Sequence, residues 1–258
     1  MNINNGNGFS RVAIVTGATS GIGEATAKRL ASSGFAVVGA GRRAELLKKL
    51  EADIGDNFIG VAGDCGDDKV LDSLFEAAEG SFGMEASAII ANAGRGLGGA
   101  VSTADLEEFK DVLHINVTGA LSLMQKAAKK LTAGLKNRPF PENAADIVVI
   151  GSVVGRNISP FSAVYGSTKF AVHALTEGLR RELGPKGIRV TLVEPGYLVS
   201  GFQKVAGYSD EMVDGLNDKF GPPLTGDDIA RAIEFVLSLG PRVNVSDIVV
   251  RPTRQEYP

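Results

Sequence analysis

Short apolar runs alternate along the chain with longer stretches in which apolar residues recur every three or four positions. The short runs, at 12–15, 36–40, 58–61, 88–91, 147–150, 190–193 and 248–250, are rich in Val, Ile and Ala. Unbroken apolar runs of this length suit strands buried on both faces, as in a parallel sheet. The stretches between them, 24–33, 44–53, 69–78, 106–131, 163–183 and 227–239, have helical spacing. Strand-helix repetition predicts an α/β fold in which one doubly wound, seven-stranded parallel sheet carries helices on both faces. No linker-like composition or fixed-period repeat divides it, so a single domain is expected. Residues 1–10 are polar and rich in Asn and Gly, and are expected to form a flexible tail. Residues 132–145 are expected to be a loop. Residues 197–225 make too long a connector for an ordinary turn and are expected to be a lid over a binding site.

Composition narrows the function classes. A chain of 258 residues buries roughly 70% of its unfolded surface without metal or disulfide support. The 33 glycines are nearly twice the usual share of about 7%, which suggests tight turns and close approach to a ligand. A net charge of −3 with no basic run recommends neither nucleic acid nor an anionic membrane as partner. Cys65, the single cysteine, has no disulfide or metal companion. With no signal-like N-terminus and no stretch of membrane-spanning length, the reading is a cytoplasmic protein.

The first strand leads into Gly17-Ala18-Thr19-Ser20-Gly21-Ile22-Gly23 and then a helix. Glycines there let the backbone turn sharply and approach a pyrophosphate, which the free N–H groups at the helix start stabilise. The spacing is G-x-x-x-G-x-G, not G-x-G-x-x-G; a plain tight turn is the bland alternative. The second strand ends Gly39-Ala40-Gly41-Arg42-Arg43. An acid near this position takes the ribose 2′-hydroxyl of NAD, whereas arginine accommodates the 2′-phosphate of NADP. Gly41 leaves space, and two cations at a helix start oppose its dipole. Arg42 and Arg43 therefore predict NADP(H). Asp64, and Asn92-Ala93-Gly94, follow the third and fourth strands, where such folds bind ligands; turn chemistry explains each equally well.

Ser152 follows the fifth strand, Tyr165 lies on the next helix, and Lys169 is one turn further along the same face. Tyrosine is a poor base at neutral pH, and a nearby ammonium favours its phenolate. Ser152 can then hold a substrate oxygen while Tyr165 gives or takes its proton. On an arbitrary helix this pair is usually a surface contact; its position after the fifth strand gives it weight.

These motifs, in this order, resemble those of the short-chain dehydrogenases/reductases over residues 11 to 252. The family's T-G-x-x-x-G-x-G reads as Thr16 to Gly23, its N-A-G as Asn92 to Gly94, and its P-G-x-V-x-T as Pro195-Gly196-Tyr197-Leu198-Val199-Ser200. The resemblance implies a Rossmann-type fold and a catalytic set of Asn116, Ser152, Tyr165 and Lys169, with Asn116 helping to hold a proton-relay water. It further implies that Asp64 meets the adenine, Lys169 the nicotinamide ribose, and Val199 and Ser200 the nicotinamide carboxamide. A homotetramer or homodimer is implied as well. Three departures stand out: Ala91 replaces the family's usual Asn, the 132–145 loop is long, and His114 takes a place where acids are common. His114 and His173 lie mid-helix with no partner acid or second His at ligand spacing, which favours packing roles over a metal site.

The reaction implied is hydride transfer between NADP(H) and a carbonyl or secondary alcohol. Residues 244–253 are similar to the C-termini of family members acting on small polar 3-hydroxy acids. Arg95, Val154, Arg156, Tyr197 and Phe202 are pocket candidates. Arg156 either pairs with a substrate carboxylate or faces solvent or a neighbouring subunit. Two other readings stand beside the reductase: a non-catalytic NADP(H)-binding sensor, which has no need of a proton relay, and an epimerase of a larger branch, which wants more chain after Gly196.

Overall fold

The computed structural model describes residues 9–158 and 162–257; most of the expected tail, residues 1–8, lies outside the described residues. Seven strands, β1 (Arg11–Thr16), β2 (Phe35–Gly41), β3 (Phe58–Ala62), β4 (Ala88–Ala91), β5 (Asp146–Ile150), β6 (Arg189–Pro195) and β7 (Asp247–Val250), form one sheet. Its order is β3-β2-β1-β4-β5-β6-β7, and every pairing is parallel. This is the doubly wound arrangement that the unbroken apolar runs predict.

The two faces are divided by residue parity. Val12 and Ile14 pack with α3 (Asp68–Phe82), α5 (Ala120–Gly134) and α6 (Ala163–Leu183) on one side. Ala13 and Val15 pack with α1 (Gly21–Ser32), α2 (Ala44–Ile54) and α9 (Gly226–Ser238) on the other. Chain order reverses between β1 and β4, and the crevice at such a reversal is where open α/β sheets bind ligands.

Three segments differ from the expected pattern. The helix expected over 106–131 is α4 (Leu106–Leu113), then a π-helical turn (His114–Gly119), then α5. Gly119 shows why the turn is tight: a Cβ there would lie 2.9 Å from the Cys65 carbonyl oxygen. The loop after α5 begins at Leu135 rather than Thr132. Its Phe140 stacks on Gly187, where a Cβ would come within 2.6 Å of the phenylalanine. The loop thus props the turn entering β6, at the sheet end opposite the crevice. The 197–225 segment contains α7 (Phe202–Val205) and α8 (Asp210–Phe220). Its neck is pinned by Leu224 N–H to Tyr197 O (3.1 Å) and Val199 N–H to Leu224 O (3.2 Å).

Candidate active site

A cleft of about 670 Å³ opens along the carboxyl ends of the strands. It runs from the glycine turn after β1 to the 197–225 segment, and every catalytic, cofactor-binding and pocket position named from the sequence lines it except Gly23, Asn116, Arg156 and Val199.

At one end, Gly17 and Gly21 adopt φ of +69° and +56°, a region costly for side chains. Gly23 is excluded from any larger residue for another reason: a Cβ would sit 2.2 Å from Gly17 O. Asn92 holds the turn by donating Nδ2–H to Thr16 O at 2.8 Å, and the Thr16 hydroxyl accepts from the N–H groups of Asn92 and Ala93. The side chain of Ser20 does not cap α1, so the first-turn N–H groups at Gly21 and Ile22 are left for an anion. Gly41 does not leave the space expected of it; the Thr19 methyl fills it, 2.8 Å from where a Cβ would lie. Arg43 donates to Thr19 Oγ1 (2.9 Å) and Ser20 Oγ (2.8 Å), which plants its fork beside the glycine turn. Arg42 is exposed at the same rim. Uncapped N–H groups and glycines without side-chain clearance together fit a dinucleotide, and the Arg43 guanidinium stands beside the turn.

Asp64 accepts from Gly66 N–H at 2.9 Å. His114 stands over Gly66, half exposed and lining the cleft, with Nε2 4.0 Å from Asp64. It is therefore a rim residue, and the expected packing role is corrected.

At the other end, the Lys169 ammonium donates to Ile150 O at 2.8 Å and lies 5.8 Å from the Tyr165 ring centroid. Burial lowers its pKa from the ordinary value to about 8. The expected depression of Tyr165 is not what this geometry gives. Burial, then the neighbouring Tyr208, pushes the phenol up, and the Ser152 hydrogen bond opposes them. The ammonium is drawn to the Ile150 carbonyl and leaves burial dominant. Phe202 packs edge-on to Tyr165 at 5.3 Å.

Asn116 sits in the π turn, and its side chain is fully used. Oδ1 accepts from Arg95 N–H (2.9 Å), while Nδ2 donates to Arg95 O (2.9 Å) and Thr168 Oγ1 (3.1 Å). Thr168 in turn donates to Tyr165 O at 2.7 Å. Asn116 thus ties the loop after β4 to the helix carrying Tyr165.

Arg156, offered as a substrate anchor, does not line the cleft. Both arms of its guanidinium pair at 2.6 Å with the carboxylate of Glu194, which is fully buried. His173 meets an acid distant in sequence: Nδ1 is 3.7 Å from Glu194 Oε2. Glu194 was legible as an isolated acid ending an apolar strand, since buried carboxylates are rarely unpaired. Gln203 and Tyr208 line the cleft from within the expected 197–225 segment; Gln255 lines it as well and was missed, since a lone amide after the last strand carries no periodic signal.

A family model described as short chain dehydrogenase matches residues 11–209, and the chain belongs to that family. It is 33% identical over 251 residues to a serine 3-dehydrogenase of Agrobacterium fabrum, covering 96% of each chain. Over 243 residues it is 30% identical to an uncharacterized oxidoreductase of Staphylococcus aureus, covering 94% of this chain and 97% of the relative. Among solved structures, a 3-ketoacyl-(acyl-carrier-protein) reductase from Brucella melitensis complexed with NADH superposes with a TM-score of 0.85 at 27% identity, covering 95% of this chain and 98% of that one. The closed form of a serine dehydrogenase complexed with NADP+ gives 0.82 at 27% identity, with 95% and 96% covered. The protein is an oxidoreductase of this family with a Rossmann-like seven-stranded parallel sheet, and no helix among the described residues is long and apolar enough to cross a membrane.

Proposed function

We propose that the chain is an NADP(H)-dependent oxidoreductase that interconverts a carbonyl and a secondary alcohol. The observation that carries this is the placement of Tyr165 with Ser152 and Lys169, whose Nζ lies 5.8 Å from the Tyr165 ring centroid, in the same cleft as the glycine turn. The nicotinamide supplies or accepts the hydride. In the reducing direction Ser152 holds the substrate oxygen and Tyr165 delivers a proton to it, giving the alcohol; oxidation reverses both roles. Lys169 binds the nicotinamide ribose and supplies positive charge beside the phenol. Asn116 acts by holding the Arg95 loop and the Tyr165 helix in register. Gly17, Thr19, Ser20, Gly21, Ile22 and Gly23 form the pyrophosphate turn, and Arg43, with Arg42, takes the 2′-phosphate. Asp64, Asn92, Ala93 and Gly94 border the adenine and ribose; Pro195, Gly196, Val199 and Ser200 border the nicotinamide.

The likeness to serine 3-dehydrogenases supports a small polar 3-hydroxy acid as the substrate, without Arg156 as its anchor. The test is NADPH and NADH consumption against anionic and neutral aldehydes and ketones, with Tyr165→Phe as control. Turnover with NADPH that the control loses is the expected result. NADPH binding with no turnover across the panel overturns the reading in favour of a sensor.

A further inference from the structure

Two glutamines line the cleft beside the lid, and they differ in how fully they are used. Gln203 is satisfied at both ends of its amide: Oε1 accepts from Ser200 N–H and Nε2 donates to Leu198 O. Gln255 is only 8% exposed, and its Oε1 accepts the N–H of Tyr197 at 2.8 Å. A backbone N–H can only donate, so this bond fixes which end of the Gln255 amide is which. The NH2 end is left as a donor, and it has no protein partner among the described residues. Gln255 lines the cleft, so this donor is available to a group bound there.

The chain around Gln255 holds it rigidly. Its Oε1 lies 2.3 Å from where a Cβ of Gly196 would be, so a side chain at that position is excluded. Arg254 donates to Asp218 O (3.1 Å) and Gly221 O (3.2 Å) at the end of α8. Glu256 pairs with Lys219 at 3.2 Å, and the Tyr257 hydroxyl bonds Ile158 O beyond the Ser152 turn. Residues 254–257 therefore strap the lid helix to the Ser152 loop, with Gln255 turned inward. Of the two arginines offered as pocket candidates, Arg156 pairs with Glu194 and Arg95 with Glu108 and Asp111, although the buried Arg95 Nε has no partner among the described residues.

We infer that Gln255 is a substrate-anchoring residue, whose Nε2 donates to an oxygen acceptor on the substrate other than the oxygen that Tyr165 serves. This rests on the reductase reading and narrows it: the substrate is a bifunctional compound, a carbonyl or alcohol with a second oxygen in reach. That oxygen belongs to a carboxylate or to a neutral ester, and the donor serves either.

Gln255→Glu is the informative variant, because its carboxylate still accepts from Tyr197 N–H while the inward donor becomes an acceptor. Three probes are compared with NADPH: ethyl acetoacetate, acetoacetate, and 2-hexanone, which lacks the second oxygen. Direct binding to the NADP+ complex is measured for each beside kcat/KM, and Gln255→Leu serves as the second variant. In the wild type, at least one of the two oxygen-bearing probes is expected to outbind 2-hexanone. In Gln255→Glu that advantage should fall about tenfold, more for acetoacetate than for the ester, with NADPH affinity preserved. Preference of the wild type for acetoacetate over the ester identifies the acceptor as a carboxylate, and the reverse identifies it as neutral. The inference is overturned if 2-hexanone binds as well as the other two, if no probe binds, or if the variants weaken NADPH instead. Tyr165-dependent turnover that survives any of these leaves the reductase reading standing.

Discussion

His173 Nε2 accepts the backbone N–H of Ser152 at 3.3 Å, so the helix that carries Tyr165 and Lys169 also fixes the third member of their group. The contact requires small neighbours: a Cβ at Gly151 would sit 2.3 Å from that nitrogen, and one at Gly155 2.4 Å from Cε1. An acceptor at Nε2 means that the proton is on Nδ1, which faces Glu194, and Arg156 neutralises Glu194 in turn. The chain Arg156–Glu194–His173–Ser152 therefore positions Ser152 from behind.

His173 is neutral in the fold, its pKa lowered to about 4 by burial first and then by Lys169 and Arg156. The unfolded imidazole titrates near 6.5. The stability this group contributes is thus complete above about 6.5 and is lost as pH falls toward 4. Melting midpoints across this range should decline in the wild type and decline less in His173→Gln, which keeps an acceptor. Equal slopes would remove the imidazole as their cause.

Arg156→Ala leaves a buried carboxylate without its cation, which typically costs about 3–5 kcal/mol, discounted here because the guanidinium is 46% exposed. A loss nearer 2 kcal/mol is expected in denaturant titrations. Its effect on KM should be the same for anionic and neutral substrates; a loss confined to anions would restore the anchor role.

Lys169 pays for its position in stability. With a folded pKa of about 8 against about 10.4 unfolded, stability rises with pH between those values. Below 8 both states hold the proton and the folded state bears the whole penalty. Lys169→Met should accordingly raise stability at neutral pH by about 1–2 kcal/mol, after the lost bond to Ile150 is subtracted, while turnover falls to background. A destabilised variant would mean that the ammonium is a net structural asset.

Arg43→Ala should weaken NADPH roughly 30- to 100-fold, since two or more charged hydrogen bonds disappear, and should hardly change NADH. Fluorescence titration with both nucleotides reads the ratio. Equal losses would assign Arg43 to the turn it braces through Thr19 and Ser20 and not to the phosphate.

Asp146, 3% exposed, accepts both Arg189 and Arg11, the closest contacts at 2.6 Å, at the sheet end away from the cleft. Asp146→Asn should cost about 3 kcal/mol and lower the melting midpoint by roughly 6–12 °C, with unchanged activity per folded molecule.

What the sequence determined by itself was the order of elements and the local motifs. Seven apolar runs can satisfy their backbones while buried on both sides only in a helix-covered parallel sheet, and 163–183 is helical in full because its spacing is unbroken. Thr16–Gly23 and Tyr165/Lys169 are legible because their chemistry depends on spacing of a few residues. Tertiary structure decided whatever depends on partners far apart in the chain. Arg156 looked free four residues beyond Ser152, but Glu194, 38 positions on, takes its charge. Gly41 looked open until Thr19 filled it. The direction in which Tyr165 is pushed turned on how deeply it is buried, which spacing along one helix does not encode. Gln255 enters the cleft only because the chain after β7 folds back across the 197–225 segment, 58 residues from the Tyr197 N–H that orients it.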